Sequence, residues 1–131
     1  MKKGMKRGRK RLRQNVKNTK PFITKDKSII REIISPRNSR IERMSLAEAR
    51  LSAGCETEEH YHATSEEIYY ILEGKGLMRV GKSRFRVEKG DGIVLRPGVY
   101  HKIKNTGNGE LVFLCICSPM YTHEDTVMKK K

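Results

Sequence analysis

No acidic residue occurs in the first twenty positions of this 131-residue chain, which hold ten Lys or Arg. No stretch approaches the eighteen or so apolar residues of a membrane-spanning helix; the longest apolar run is Leu111 to Cys117. The basic N-terminus lacks the apolar run that a secretory leader places after its positive charges, Leu12 and Val16 standing alone among polar residues. A soluble, cytoplasmic protein without a membrane role is therefore expected. Only three cysteines are present, an odd number, which argues against a disulfide framework and for reduced thiols. No internal repeat is detectable, and no phosphate-binding motif appears beyond scattered arginines.

The charge that is present is unevenly placed. The ten N-terminal cations together with Lys129, Lys130 and Lys131 account for 13 of the net +14, so residues 21–128 carry only +1. Residues 1–20 lack hydrophobic periodicity and read as a disordered basic arm, with 21–131 as a single domain. Such an arm carries the charge to bind a nucleic-acid backbone by counterion release, although a solvated tail is the favoured reading.

From Ser28 onward, short apolar runs alternate with turn formers. The runs are Ile29–Ile34, Met44–Leu51, Glu67–Leu72, Leu77–Val80, Arg84–Val87, Ile93–Leu95, His101–Lys104 and Leu111–Cys117, punctuated by eight glycines between Gly74 and Gly109. Only Ile41–Ala53 has a locally helical composition. It is expected to be a strand nonetheless, because antiparallel sequences with this spacing close into a sandwich or barrel.

Three of the four histidines gather in one constellation with an acid: His60 and His62 with one residue between, then Glu67, then His101. On a strand, His60 and His62 share a face, about 6 to 7 Å apart, and can converge on one ion. Glu67 shares parity with Tyr69 and Ile71, whereas Glu66 has the opposite parity and is expected to face solvent, remaining the fallback ligand. His101 follows Arg96-Pro97-Gly98-Val99, whose Pro and Gly suit a type II turn. The fourth histidine, His123, reads as an ordinary solvated residue near the C-terminus.

These residues resemble the cupins. The first cupin motif is Gly, five residues, His-x-His, three or four residues, Glu, six residues, Gly, and it matches Gly54 to Gly74 with the four-residue spacing to Glu67. The second matches Gly90 to Asn105 through Pro97, Gly98 and His101, with Arg96 where the motif has Pro. The resemblance implies an all-β fold, a small antiparallel jelly-roll barrel, with one divalent transition-metal ion (Mn, Fe, Zn or Ni) held by His60, His62, Glu67 and His101, often in a homodimer packed sheet against sheet. Three imidazoles and one carboxylate leave positions open for a small oxygen-rich ligand such as an oxyacid, a diketone or a sugar derivative. With Fe or Mn the geometry suits oxidative cleavage or decarboxylation; with Zn it suits isomerisation, as in small cupins labelled sugar-phosphate isomerases. A non-catalytic, ligand-sensing cupin that uses the basic arm is the alternative. Among the arginines near the strands, Arg96 is the candidate for a contact at the barrel mouth. Tyr69, Met78, Cys115 and Cys117 are expected to serve packing.

Overall fold

The computed structural model describes residues 11–130. Eleven strands run in chain order: β1 (Phe22–Ile23), β2 (Ile29–Ile34), β3 (Ser45–Leu51), β4 (His60–His62), β5 (Glu66–Glu73), β6 (Lys75–Val80), β7 (Ser83–Glu88), β8 (Gly92–Leu95), β9 (His101–Asn105), β10 (Leu111–Ser118) and β11 (Thr126–Met128). They form a six-stranded sheet in the order β1-β2-β3-β10-β5-β8 and a five-stranded sheet in the order β11-β4-β9-β6-β7, with antiparallel pairing throughout. This is the expected jelly-roll arrangement, two sheets closing over one interior.

Period-two alternation fixes which side chains enter. Along β5, Glu67, Tyr69 and Ile71 are buried while Glu66, Ile68, Tyr70 and Leu72 are exposed. The two facing sheets bury Ile71, Met78, Leu95, Ile103, Leu111 and Phe113 into one apolar cluster, each side chain contributing about 1.5–3 kcal/mol through removal from water. The segment with helical composition is strand β3, because both of its edges are paired, to β2 and to β10. That pairing outweighs the modest helix preference of Leu, Ala, Glu and Arg. Close approach of β6 to β9 depends on Gly76, where a Cβ would lie 2.5 Å from the Lys104 carbonyl oxygen.

Of the basic arm expected over 1–20, residues 1–10 lie outside the described residues. Residues 11–20 run along the outside of the barrel. Asn15 caps a short 3-10 turn at Val16–Asn18, Gln14 Nε2 donates to the Asn38 carbonyl at 2.7 Å, and Arg31 Nη1 donates to the Thr19 carbonyl at 2.7 Å.

One group of buried polar residues borders the apolar cluster. Asp26, Ser45, His60, His62, Glu67 and Thr126 gather towards one end of the barrel. On the outer surface of β5 and β8, by contrast, Ile68, Tyr70, Leu72 and Val94 form an exposed apolar face, Ile68 directly opposite Val94 and Val94 69% exposed.

Candidate metal centre

β4 supplies two imidazoles from its inner face, His60 and His62, while Tyr61 between them points out half-buried. β9 begins with His101, directly across from His60. The approach to His101 is the turn expected from its sequence: Val99 N–H bonds the Arg96 carbonyl, Gly98 adopts φ +79°, and Gly98 N–H is held by the His62 carbonyl at 2.8 Å. The three ring centroids are 4.4, 5.2 and 5.7 Å apart, and one nitrogen from each ring lies within 4.8 Å of the other two. Three histidines are thus positioned to hold one metal ion.

The far side of each ring is also engaged. His60 Nδ1 faces the Glu58 carbonyl at 2.8 Å, His101 Nδ1 the Val99 carbonyl at 3.4 Å, and His62 Nδ1 the Thr126 hydroxyl at 3.3 Å. Thr126 Oγ1 donates its own proton to the Thr122 carbonyl at 2.9 Å, so it receives one from His62. With each Nδ1 acting as donor, the Nε2 lone pairs are left facing inward, the tautomer a metal requires.

Glu67 lies beside two of these rings. Its Oε1 lies 3.1 Å from His62 Nε2 and 3.7 Å from His101 Nε2, while Oε2 accepts the Cys117 thiol proton at 3.3 Å. Glu66 is exposed. Among the described residues, Glu67 Oε1 and His101 Nε2 are the buried side-chain N/O atoms without a hydrogen-bond partner. Two orphaned acceptors facing each other in a dry site would each cost stability, and a cation between them removes that cost. The donor set therefore fits a metal ion.

The electrostatics agree. Burial lowers the proton affinity of His62, but the adjacent Glu67 carboxylate, with smaller contributions from Asp125 and Asp26, more than offsets this and the pKa ends above its ordinary value, so these carboxylates favour positive charge at this point. His101 is pushed well below its ordinary value by burial and then by the neighbouring charges of His60 and His62, which keeps its ring neutral and its lone pair free. Burial drives the Cys117 thiol upward, so it stays protonated as a donor to Glu67.

A cavity of about 40 Å³ opens beside the histidines, lined by Tyr69, Phe113, Cys115 and Cys117 and by the polar residues Thr24, Asp26, Ser28 and Ser45. Tyr69 and the two cysteines therefore line the site as well as pack the core. Met78 is core alone. Arg96 is exposed and lies away from the cavity wall, as do Arg50, Arg79, Arg84 and Arg86.

Sequence reasoning missed the contribution of the C-terminal segment. His123 is exposed as expected, yet β11 beyond it pairs with β4 and sets Thr126 opposite His62. Asp125 binds the loop between His62 and Glu67: Oδ1 accepts from Thr64 N–H and Oγ1, both at 2.8 Å, and Oδ2 from Ser65 N–H at 3.0 Å. Burial pushes its carboxyl upward, but these donors prevail and hold it below its ordinary value. The stabilisation is therefore present above the unfolded-state value near 4 and disappears as pH falls through the lower folded-state value. Asp125→Ala is expected to lose about 1–2 kcal/mol at pH 7, a difference from the parent chain that fades below about pH 4 in urea denaturation; a difference constant across that range contradicts this role.

Residues 47–117 match the family model of the cupin domain, and the chain belongs to the cupin family. Over 107 residues it is 53% identical to an uncharacterized protein of Methanocaldococcus jannaschii, covering 82% of this chain and 86% of that protein. It is 36% identical over 70 residues to an oxalate-binding protein of Thermotoga maritima, covering 53% of this chain and 58% of the relative. The crystal structure of a predicted oxalate decarboxylase from Thermotoga maritima shares the fold with a TM-score of 0.72 at 24% identity, covering 81% of this chain and 97% of that one. No helix among the described residues is long and apolar enough to cross a membrane.

Proposed function

We propose that the chain is a mononuclear metal cupin in which His60, His62, His101 and Glu67 hold one divalent transition-metal ion, Mn, Fe, Zn or Ni, and that a small oxygen-rich molecule binds the ion at the positions these four leave open. The observation that carries this reading is the convergence of three buried imidazoles, one nitrogen of each within 4.8 Å of the other two, beside a buried carboxylate oxygen, Glu67 Oε1, that lies 3.1 Å from His62 Nε2 and 3.7 Å from His101 Nε2. The ion supplies a positive centre that binds and polarises ligand oxygens. Around it, the Glu58 and Val99 carbonyls and Thr126 fix the rings, Cys117 fixes Glu67, and Tyr69 and Phe113 exclude water from one wall. The cavity volume of about 40 Å³ has room for about three water-sized groups, which supports a ligand of a few heavy atoms. The oxalate-binding relative supports an oxyacid.

Loading the chain with Co(II) gives a visible spectrum sensitive to the metal's ligands. Titration with small oxyacids, diketones and sugars is expected to change that spectrum saturably for at least one class. A spectrum unmoved by all three in fully loaded protein overturns the reading. The exposed apolar face of β5 and β8 further supports a homodimer, for which light scattering should give twice the chain mass; a monomer at micromolar concentration contradicts it.

A further inference from the structure

Asp26 is a buried acid beside the metal centre that the four proposed ligands leave without a role. It sits in the turn joining β1 to β2, closed by bonds from Thr24 N–H to the Ser28 carbonyl at 3.1 Å and from Lys27 N–H to the Thr24 carbonyl at 3.0 Å, with Lys27 at φ +78°. Three donors converge on one carboxylate oxygen, Oδ1: the Thr24 hydroxyl, Ser28 N–H at 2.9 Å and the Ser28 hydroxyl at 2.6 Å. They lock the side chain in one orientation. The backbone is locked as well, since the Asp26 carbonyl accepts Glu58 N–H at 2.8 Å, and the Glu58 carbonyl in turn holds His60 Nδ1.

The other oxygen, Oδ2, is thereby aimed at the metal centre. It lies 3.5 Å from His60 Nε2, the ring atom that faces the ion, and the side chain is only 10% exposed. The cavity that Asp26 lines also contains Glu32 and no Lys or Arg. Glu32 is paired with Arg37 at 2.6 Å, so a carboxylate entering this wall meets the like charge of Asp26, whereas a hydroxyl meets a fixed acceptor.

We propose that Asp26 is a specificity-determining residue: its Oδ2 accepts a hydrogen bond from a hydroxyl of the molecule bound at the ion, so that the site favours a small α-hydroxy acid or hydroxyketone over the keto analogue and disfavours a dicarboxylate. This inference rests on the metal reading above. A site built to hydrogen-bond a ligand hydroxyl rejects the analogue that lacks it, because the buried acceptor is then left unpaired.

Calorimetry on the full chain loaded with Zn(II) tests it with lactate, pyruvate and oxalate. Lactate and pyruvate have the same charge and differ in one hydroxyl. The intact chain is expected to bind lactate at least about tenfold more tightly than pyruvate. In Asp26→Asn the three donors still require an oxygen at Oδ1, so the amide NH2 takes the place of Oδ2 and turns an acceptor into a donor. The lactate preference should then collapse, oxalate binding should tighten, and Zn(II) affinity should stay within about threefold. Ser28→Ala removes one orienting donor and should narrow the preference in the same direction.

Equal binding of lactate and pyruvate by Zn(II)-loaded parent chain overturns this proposal and leaves the metal reading standing. Loss of Zn(II) binding in Asp26→Asn also overturns it, by making Asp26 a metal ligand. Failure of the parent chain to bind Zn(II), Mn(II), Ni(II) or Fe(II) removes the metal reading and this proposal together.

Discussion

Removal of the bound ion with a chelator is expected to lower the melting temperature by about 12–16 °C, and addition of the metal should restore it. A ligand that binds only the folded chain at about a thousand times its dissociation constant stabilises it by about 4 kcal/mol, and each kcal/mol moves the melting point of a domain this size by about 3–4 °C. The structural reason is local. Glu67 is 5% exposed and His101 1% exposed, and without a cation His101 Nε2 is a buried acceptor with no donor while Glu67 Oε1 has only His62 Nε2, 3.1 Å away, to pair with. An ion that leaves with no change in melting temperature contradicts the placement of metal at this site.

Replacing Phe113 with alanine is expected to remove about 3–5 kcal/mol of folding stability in urea denaturation. Phe113 is 1% exposed in the middle of β10, the strand flanked by β3 and β5, and its ring packs 4.7 Å from that of Tyr69. Deleting it opens a void where the two sheets face each other, and the wall it lines belongs to the cavity beside the histidines. The substitution therefore loosens the site as well as the core. A loss below about 1 kcal/mol would mean that the ring is not central to the packing.

Legibility in the sequence followed the length and apolar content of each segment. β2 coincides with the run Ile29–Ile34, and β10 adds only Ser118 to the run Leu111–Cys117, because long β-branched and apolar stretches have few alternatives to a buried strand. Parity along β5 placed Glu67 inside and Glu66 outside, since a side chain's face on a strand is fixed by its position alone. The turn before His101 followed from Pro97 and Gly98 despite Arg96.

β1 and β11, two and three residues long, carry too little periodicity to register, and they exist because tertiary partners, β2 and β4, accept their edges. With them went Asp26 and Thr126, polar side chains whose burial depends on contacts far along the chain: Thr126 with His62, and Asp26 through its turn with Glu58 and His60. The alternation Thr24-Lys-Asp26-Lys-Ser28 was the available signal, short polar side chains on one face and lysines on the other. Cys117 was legible as buried but not as a partner of Glu67, because cross-strand register, here Cys117 opposite Glu67, is set by the fold.

The central claim is that one ion is held by the histidines of β4 and β9 with Glu67. Elemental analysis of the purified chain beside the His60→Ala, His62→Ala double variant, with folding of both verified by circular dichroism, tests it most directly. About one equivalent of a divalent transition metal in the parent chain and close to none in the variant is the expected result; equal metal in the two contradicts the account.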